Sequence, residues 1–337
     1  MAAIDIGIDL GTASVIVYLS GRGIVLEEPS VVAVNSSTGD VLCVGEEAYR
    51  MLGRTPDKIR AVRPLQDGVI SDYELTEKMI KYFIRKVCGG NVLKPRICLC
   101  VPSGITDVES RAVVEAATSA GARRVYLIEE PVAAALGSGI DISIPNGNMI
   151  LDIGGGTADI AVLSLNGIVT KTSIKVAGNA FDRAIVKSIR ENHKLFIGDK
   201  MSEYLKQQIG TVYGFEEERT CEIKGRNLIT GLPQKITVTS TEIKDALEEN
   251  VVQIIEAVHS VIERTPPELV GDIHTNGIMM TGGGSMIHGL GRRLEEATKI
   301  HARLAENPIE AVAVGTGLAF ERLDDLSDGF IRSVAYR

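Results

Sequence analysis

Asp152-Ile-Gly-Gly-Gly-Thr-Ala-Asp-Ile-Ala-Val, residues 152–162, decides the reading of this chain, because a shorter copy stands near the start as Asp9-Leu-Gly-Thr-Ala-Ser-Val-Ile-Val, residues 9–17. Allowing two extra glycines in the later copy, the stretches align. In each, an apolar run enters an aspartate, a glycine turn carries a threonine, and a second apolar run leaves, which is the pattern of a β-hairpin with a polar tip. Two such hairpins predict two similar halves facing each other. Glycine lets backbone N–H groups approach an anion without a Cβ in the way, and a hydroxyl at the tip adds a donor.

A third turn, Gly282-Gly283-Gly284-Ser285, follows the short apolar run Gly277-Ile-Met-Met-Thr. Taken singly, each is an ordinary tight turn; three together, two of them copies, point to a nucleotide site. Neither a Walker A pattern nor a dinucleotide Gly-x-Gly-x-x-Gly fingerprint is present, so the site is of another kind. Asp9 and Asp152 hold equivalent places in the two copies, and folding the halves together would set two carboxylates beside the phosphates. That suits Mg²⁺, which keeps several waters and takes one or two carboxylates plus phosphate oxygens.

Around these turns, strands alternate with helices, which predicts an α/β sheet. Residues 97–101 and 124–128 read as strands, 107–120 as a helix capped by Thr106 or Asp107 and ended by Gly121, with another helix starting near Pro131. Beyond the second copy come helices over 180–191 and 200–209, then an alternating strand at 235–239, which together read as an inserted subdomain. A helix over 241–264, a further helix after the third glycine turn, and one over 310–322 complete the pattern.

The 337 residues suit about two domains. The net charge of -8, with both signs interspersed, argues against a nucleic-acid partner. No apolar run approaches the ~20 residues of a membrane span, and the N-terminus lacks signal-peptide features, so a cytoplasmic protein is expected. The five cysteines lie mostly in apolar stretches and read as buried thiols, Cys98 and Cys100 sharing one face of a strand.

Glu129-Glu130-Pro131-Val-Ala-Ala-Ala and Thr281-Gly-Gly-Gly-Ser, with the paired hairpins, resemble the actin, sugar-kinase and heat-shock-chaperone ATPase superfamily. Glu28-Pro-Ser-Val-Val-Ala-Val, Arg63-Pro-Leu-Gln-Asp-Gly-Val-Ile-Ser-Asp-Tyr, Val101-Pro-Ser-Gly-Ile-Thr-Asp-Val-Glu and Arg264-Thr-Pro-Pro-Glu-Leu extend the likeness, almost end to end, to the MreB family of bacterial actins. The resemblance implies an actin-like α/β fold: two duplicated RNase H-like halves, each with an inserted smaller subdomain, and a nucleotide in the cleft between them. It implies subdomain IA over 1–32, 66–145 and 311–337, IB over 33–65, IIA over 146–180 and 247–310, and IIB over 181–246.

By the same resemblance Gly11, Thr12, Ala13 and Ser14 line one side of ATP, and Gly154, Gly155, Gly156 and Thr157 the other, with Gly178 nearby. Gly283, Gly284 and Ser285 border the adenosine. Glu203 and Lys206 hold ribose and base, their spacing placing both on one helix face. Asp9 and Asp152 hold Mg²⁺ through water. Glu130 positions the attacking water, with Thr157 beside the γ-phosphate. The family implies self-assembly into filaments with paired protofilaments, slow ATP hydrolysis, cell-wall elongation partners, and peripheral attachment to the inner face of the cell membrane. With the first strand starting by about Ile4, no room is left for a terminal amphipathic helix, and Val92 and Leu93 in the loop 89–95, flanked by Lys86 and Lys94, become the expected membrane contact.

Ala158-Asp159 stands where the family usually shows Thr-Glu, and Ala177-Gly-Asn179-Ala-Phe-Asp182 where Gly-Asp followed by acidic residues is usual; both bear on nucleotide affinity and hydrolysis rather than fold. The alternatives are a non-hydrolysing scaffold, a sugar- or acetate-type kinase, for which no general base is identifiable, and a chaperone-type ATPase, for which the sequence holds no substrate-binding region.

Overall fold

In a computed structural model of the protein, residues 4–89, 94–323 and the backbone of 330–332 are described. The chain opens with three antiparallel strands, β1 (Asp5–Leu10), β2 (Ser14–Leu19) and β3 (Gly23–Pro29). A small antiparallel sheet follows, from β4 (Val32–Asn35), β5 (Val41–Val44) and β6 (Ile59–Val62), with α1 (Glu46–Met51) between the last two. The ribbon β7 (Leu65–Gln66) and β8 (Val69–Ile70) leads to α2 (Tyr73–Cys88), β9 (Arg96–Val101), α3 (Asp107–Ser119), β10 (Arg124–Glu129) and α4 (Glu130–Gly137).

The second half repeats the plan with β11 (Asn148–Ile153), β12 (Ala158–Ser164) and β13 (Gly167–Ile174). Its smaller lobe comprises α5 (Gly178–His193), β14 (Leu195–Phe196), α6 (Asp199–Ile209), β15 (Thr220–Asn227) and β16 (Pro233–Thr239). Then come α7 (Ser240–Glu263), α8 (Pro267–Asn276), β17 (Ile278–Thr281), a 3₁₀ turn at Gly283–Met286, α9 (Leu290–Thr298) and β18 (Ala302–Leu304). Last are α10 (Ala311–Leu318), a 3₁₀ turn at Ala319–Arg322 and β19 (Phe330–Arg332).

The duplication is visible in the sheet order. One large sheet runs β3-β2-β1-β9-β10, with β19 at its edge, and the other runs β13-β12-β11-β17-β18. Each consists of an antiparallel trio followed by two parallel strands. The two quoted sequence copies are the β1–β2 and β11–β12 hairpins, and they occupy the same place in their respective sheets.

Strand alternation sets where the cores lie. On β9, Ile97, Leu99 and Val101 face the core of the first half, whereas Cys98 and Cys100 face a separate core between the halves, packed by Val132, Ala133 and Leu136 of α4 with Ile150, Leu163 and Met279 of the second sheet. The five cysteines are free thiols, and Cys98 and Cys100 are buried on that shared face. Thr106, rather than Asp107, caps α3: it accepts the N–H of Glu109, whose carboxylate returns to the Thr106 N–H.

One expected helix is divided. Residues 310–322 form α10 and then a 3₁₀ turn, because the last turn of a helix leaves carbonyls without intrahelical partners and tightening satisfies some of them. No helix among the described residues is long and apolar enough to cross a membrane.

Candidate functional site: a cleft between two glycine hairpins

Between the halves lies a cavity of about 870 Å³ lined by both hairpin tips. That is room for a nucleotide-sized ligand. The tips almost touch: a methyl group on Gly155 would sit 2.7 Å from the Cβ of Ala13, and one on Gly156 would sit 2.8 Å from the Gly68 nitrogen. Only glycine fits at these two points. The first tip is braced by Arg63, whose guanidinium donates to the carbonyls of Ala13 (3.0 Å) and Thr12 (3.4 Å), while the Thr12 hydroxyl accepts the Gly68 N–H at 3.1 Å.

The second tip is closed by the Gly154 N–H donating to the Thr157 carbonyl at 3.0 Å. The start of α5 ties to it, Gly178 N–H donating to Gly154 O (3.1 Å) and Asn179 N–H to Gly155 O (2.8 Å). This places a helix N-terminus, with its positive end, behind the loop that would hold an anion. Lys206 on α6 reaches the same point, donating to the Gly178 carbonyl at 3.0 Å and pairing with Asp182 at 2.9 Å.

Asp9 and Glu130 from the first half and Asp152 from the second line the cavity floor, and Asp159 from the second half is buried close enough to interact with Glu130 and Asp152. Cys100 donates its thiol to Asp9 at 3.0 Å, and Thr281 donates its hydroxyl to Asp152 at 2.6 Å. Burial pushes the Asp9 carboxyl up to about 6 and, with repulsion from Asp159 and Asp9, pushes Asp152 up to about 7. Glu130, the first residue of α4, is raised well above the usual range by desolvation first and then by Asp159, Asp152 and Asp9. Asp9 and Glu130 keep part of their surface open to the cleft. Their desolvation therefore reflects the depth of the cavity.

Asp159 is fully buried and accepts the backbone N–H of Ser103 at 2.7 Å, a bond that joins the halves at the floor. Glu129 and Lys171 make a second such link at 2.6 Å. Among the described residues no three His, Cys, Asp or Glu side chains are gathered closely enough to hold a metal ion by themselves, so a Mg²⁺ here would need phosphate oxygens and waters besides Asp9 and Asp152.

Of the residues singled out in the sequence, the cavity wall gathers Asp9, Gly11, Thr12, Ala13, Ser14, Glu130, Asp152, Gly154, Gly155, Gly156, Thr157, Gly178, Glu203, Lys206, Gly283 and Gly284. Ser285 is not among them: it is buried and its hydroxyl donates to the Gly282 carbonyl at 2.7 Å inside the 3₁₀ turn. Glu203 and Lys206 do not pair with each other; Lys206 pairs with Asp182, and Glu203 accepts the Tyr49 hydroxyl at 2.9 Å. Val92 and Leu93 lie outside the described residues. Lys86, one of the cations expected to draw that loop to lipid, is engaged by Glu28.

Sequence reasoning missed several wall residues. Phe215 and His288 stack with centroids 4.1 Å apart, and the Arg219 guanidinium lies 3.9 Å from the Phe215 centroid, forming one rim of the cavity. Their juxtaposition depends on the Thr211–His288 bridge, which no local pattern announces. Arg63 stood within a quoted stretch without a role.

The family description "MreB/Mbl protein" matches residues 3–328. The chain is 52% identical to the cell shape-determining protein Mbl of Bacillus cereus over 98% of its own length and 100% of that protein. Among solved structures it is similar to MreB5 of Spiroplasma citri bound to ADP, with a TM-score of 0.91 at 38% identity over 96% of this chain and 97% of that one. The same protein bound to AMPPNP matches with a TM-score of 0.91 at 39% identity, with the same coverage of both chains.

Proposed function

Because the chain belongs to the MreB/Mbl family, we propose that it is an ATP-dependent bacterial actin whose filaments, attached to the inner face of the cell membrane, organise cell-wall synthesis and maintain cell shape. The observation that carries this reading is the pair of glycine tips, one from each half, meeting across a single cavity above a floor of carboxyls. The relative MreB5, solved with ADP and with AMPPNP, and the shape-determining Mbl support it. The four-lobed division expected from the resemblance is its frame.

In this proposal the backbone N–H groups of residues 11–14 and 154–157 cradle the phosphates, and the base lies toward Gly283 and Gly284. Asp9 and Asp152 hold Mg²⁺ through water, and the cation, when bound, neutralises phosphate charge. Glu130 orients a water in line with the γ-phosphate, with Thr157 beside it. Ligand bridging both tips favours the closed arrangement of the halves, and that shape is the one that assembles. The loop holding Val92 and Leu93 contacts lipid weakly per subunit, and assembly multiplies the contact.

A scaffold that binds nucleotide without hydrolysing it is the second reading, favoured by the raised Glu130, whose surroundings favour its protonated form and so oppose its service as a proton acceptor. One experiment separates them. Purified protein is pelleted with ATP and Mg²⁺, with and without anionic liposomes, and phosphate is read in the same tubes. Nucleotide-dependent polymer enriched on lipid with slow phosphate release supports the proposal; polymer with no phosphate supports the scaffold; soluble protein with or without turnover refutes both.

A pH dependence follows from the floor carboxyls. Protons compete with the cation at Asp9 and Asp152, whose values are raised, so affinity for the Mg²⁺–nucleotide complex is full above the raised values and declines as pH falls through them. Calorimetric titration of Mg²⁺–ADP is expected to show about tenfold weaker binding at about pH 6 than at about pH 7.5. Equal affinity at both would remove these two groups from cation binding.

A further inference from the structure

The mouth of the cleft is bridged by Tyr49, from α1 in the small lobe of the first half. Its hydroxyl donates to Glu203 on α6 at 2.9 Å, across 154 positions of sequence. Lys200, three residues before Glu203, places its ammonium 4.0 Å from the centroid of the Tyr49 ring and also donates to the Tyr49 carbonyl. Arg63 lies 6.0 Å from the same ring. Tyr49 thus meets α6 through a charge-assisted hydrogen bond, a cation–π contact and a backbone bond. Both Tyr49 and Glu203 line the cavity.

We infer that Tyr49 is a positioning residue that clasps α6 across the cleft mouth, aims Glu203 at the sugar of the bound nucleotide and slows the nucleotide's exit. This rests on the proposed reading of the cavity as a nucleotide site. Burial and Glu203 push the Tyr49 phenol up to about 12, so its hydroxyl remains a donor across the physiological range. The clasp also explains why Glu203 and Lys206, though on one helix face, point to different tasks: one reaches the opposite lobe, the other braces the second glycine tip through Gly178.

The test measures release of radiolabelled ATP and 2′,3′-dideoxy-ATP after a chase with unlabelled ATP, for the wild type, Tyr49→Phe, Lys200→Ala and the double variant. Losing one hydrogen bond to a charged group is expected to speed ATP release about tenfold in Tyr49→Phe. The dideoxy analogue, which lacks the hydroxyls that Glu203 would hold, is expected to gain less, so discrimination between the two nucleotides shrinks. The double variant is expected to fall short of the product of the single effects, with thermal midpoints unchanged. Wild-type ATP release and discrimination in both single variants would overturn the clasp while leaving the nucleotide reading intact. A wild-type protein that retains neither nucleotide would overturn both.

Discussion

Replacing Glu130 by alanine is expected to leave ATP binding within about threefold and to slow phosphate release about 100-fold, the scale of effect when an attacking group loses its alignment. In the proposed arrangement binding survives because backbone donors of the two tips, which the substitution does not touch, would hold the phosphates. A second signature follows from the crowded floor. Glu130 lies deep in the cleft near Asp159, Asp152 and Asp9, whose charges oppose its own and outweigh the hydrogen bond it shares with Asp159, so its removal relieves repulsion and the denaturation midpoint of the nucleotide-free protein is expected to rise. A variant that loses turnover while gaining stability marks a group retained for activity at the expense of the fold. Single-turnover phosphate release and thermal unfolding on the same preparation check both parts; unchanged release would remove Glu130 from the proposed mechanism.

The second large effect concerns the joint between the halves. A methyl group on Gly315 of α10 would overlap the carbonyl of Ala133 on α4, and one on Gly137 of α4 would overlap the carbonyl of Ala311 on α10. Ala133 and Gly137, like Ala311 and Gly315, are four residues apart, so each helix presents a small-residue face and the backbones meet directly. Elsewhere in a helix, Gly→Ala gains about 1 kcal/mol from propensity. At Gly315 the obstacle is backbone, which has nowhere to move, and overpacking costs about 3 kcal/mol. Gly315→Ala is therefore expected to lower stability by about 2 kcal/mol net, read as a lower urea midpoint. A midpoint equal to or above the wild type would mean that the helices can slide apart freely.

What could be read before any coordinates was what is local in the chain. A strand, an aspartate and a glycine turn are consecutive, so both hairpins, the duplication they imply and the placement of Asp9 and Asp152 followed from their order. The start of α3 was legible to within one residue, Thr106 or Asp107, and the bond from the Glu109 N–H decides for Thr106. What escaped depends on pairs distant in sequence: Tyr49 with Glu203, Ser103 with Asp159, Phe215 with His288. Ser285 stands apart from the cavity wall for a different reason. A hydroxyl after three glycines suits an anion cradle, but the chain there coils into a 3₁₀ turn that directs it inward to Gly282. Asp159 was noticed only as a departure from the family's usual glutamate, since nothing local reveals that β12 delivers it to the side of Glu130.

The chain crosses between the large sheets twice, once between α4 and β11 and once between β18 and α10, and α4 and α10 are the helices whose backbones touch. The two crossings are joined by this helix pair, while Tyr49 and Glu203 close the cleft from its two small lobes. The geometry is that of tweezers. A rotation of a few degrees at a stiff pivot becomes a displacement of ångströms at the tips, and work done by a ligand drawing the glycine turns together is delivered, magnified in travel, at the surfaces farthest from the pivot. In the proposed reading, a filled cleft would therefore be felt most at the small lobes that Tyr49 and Glu203 join.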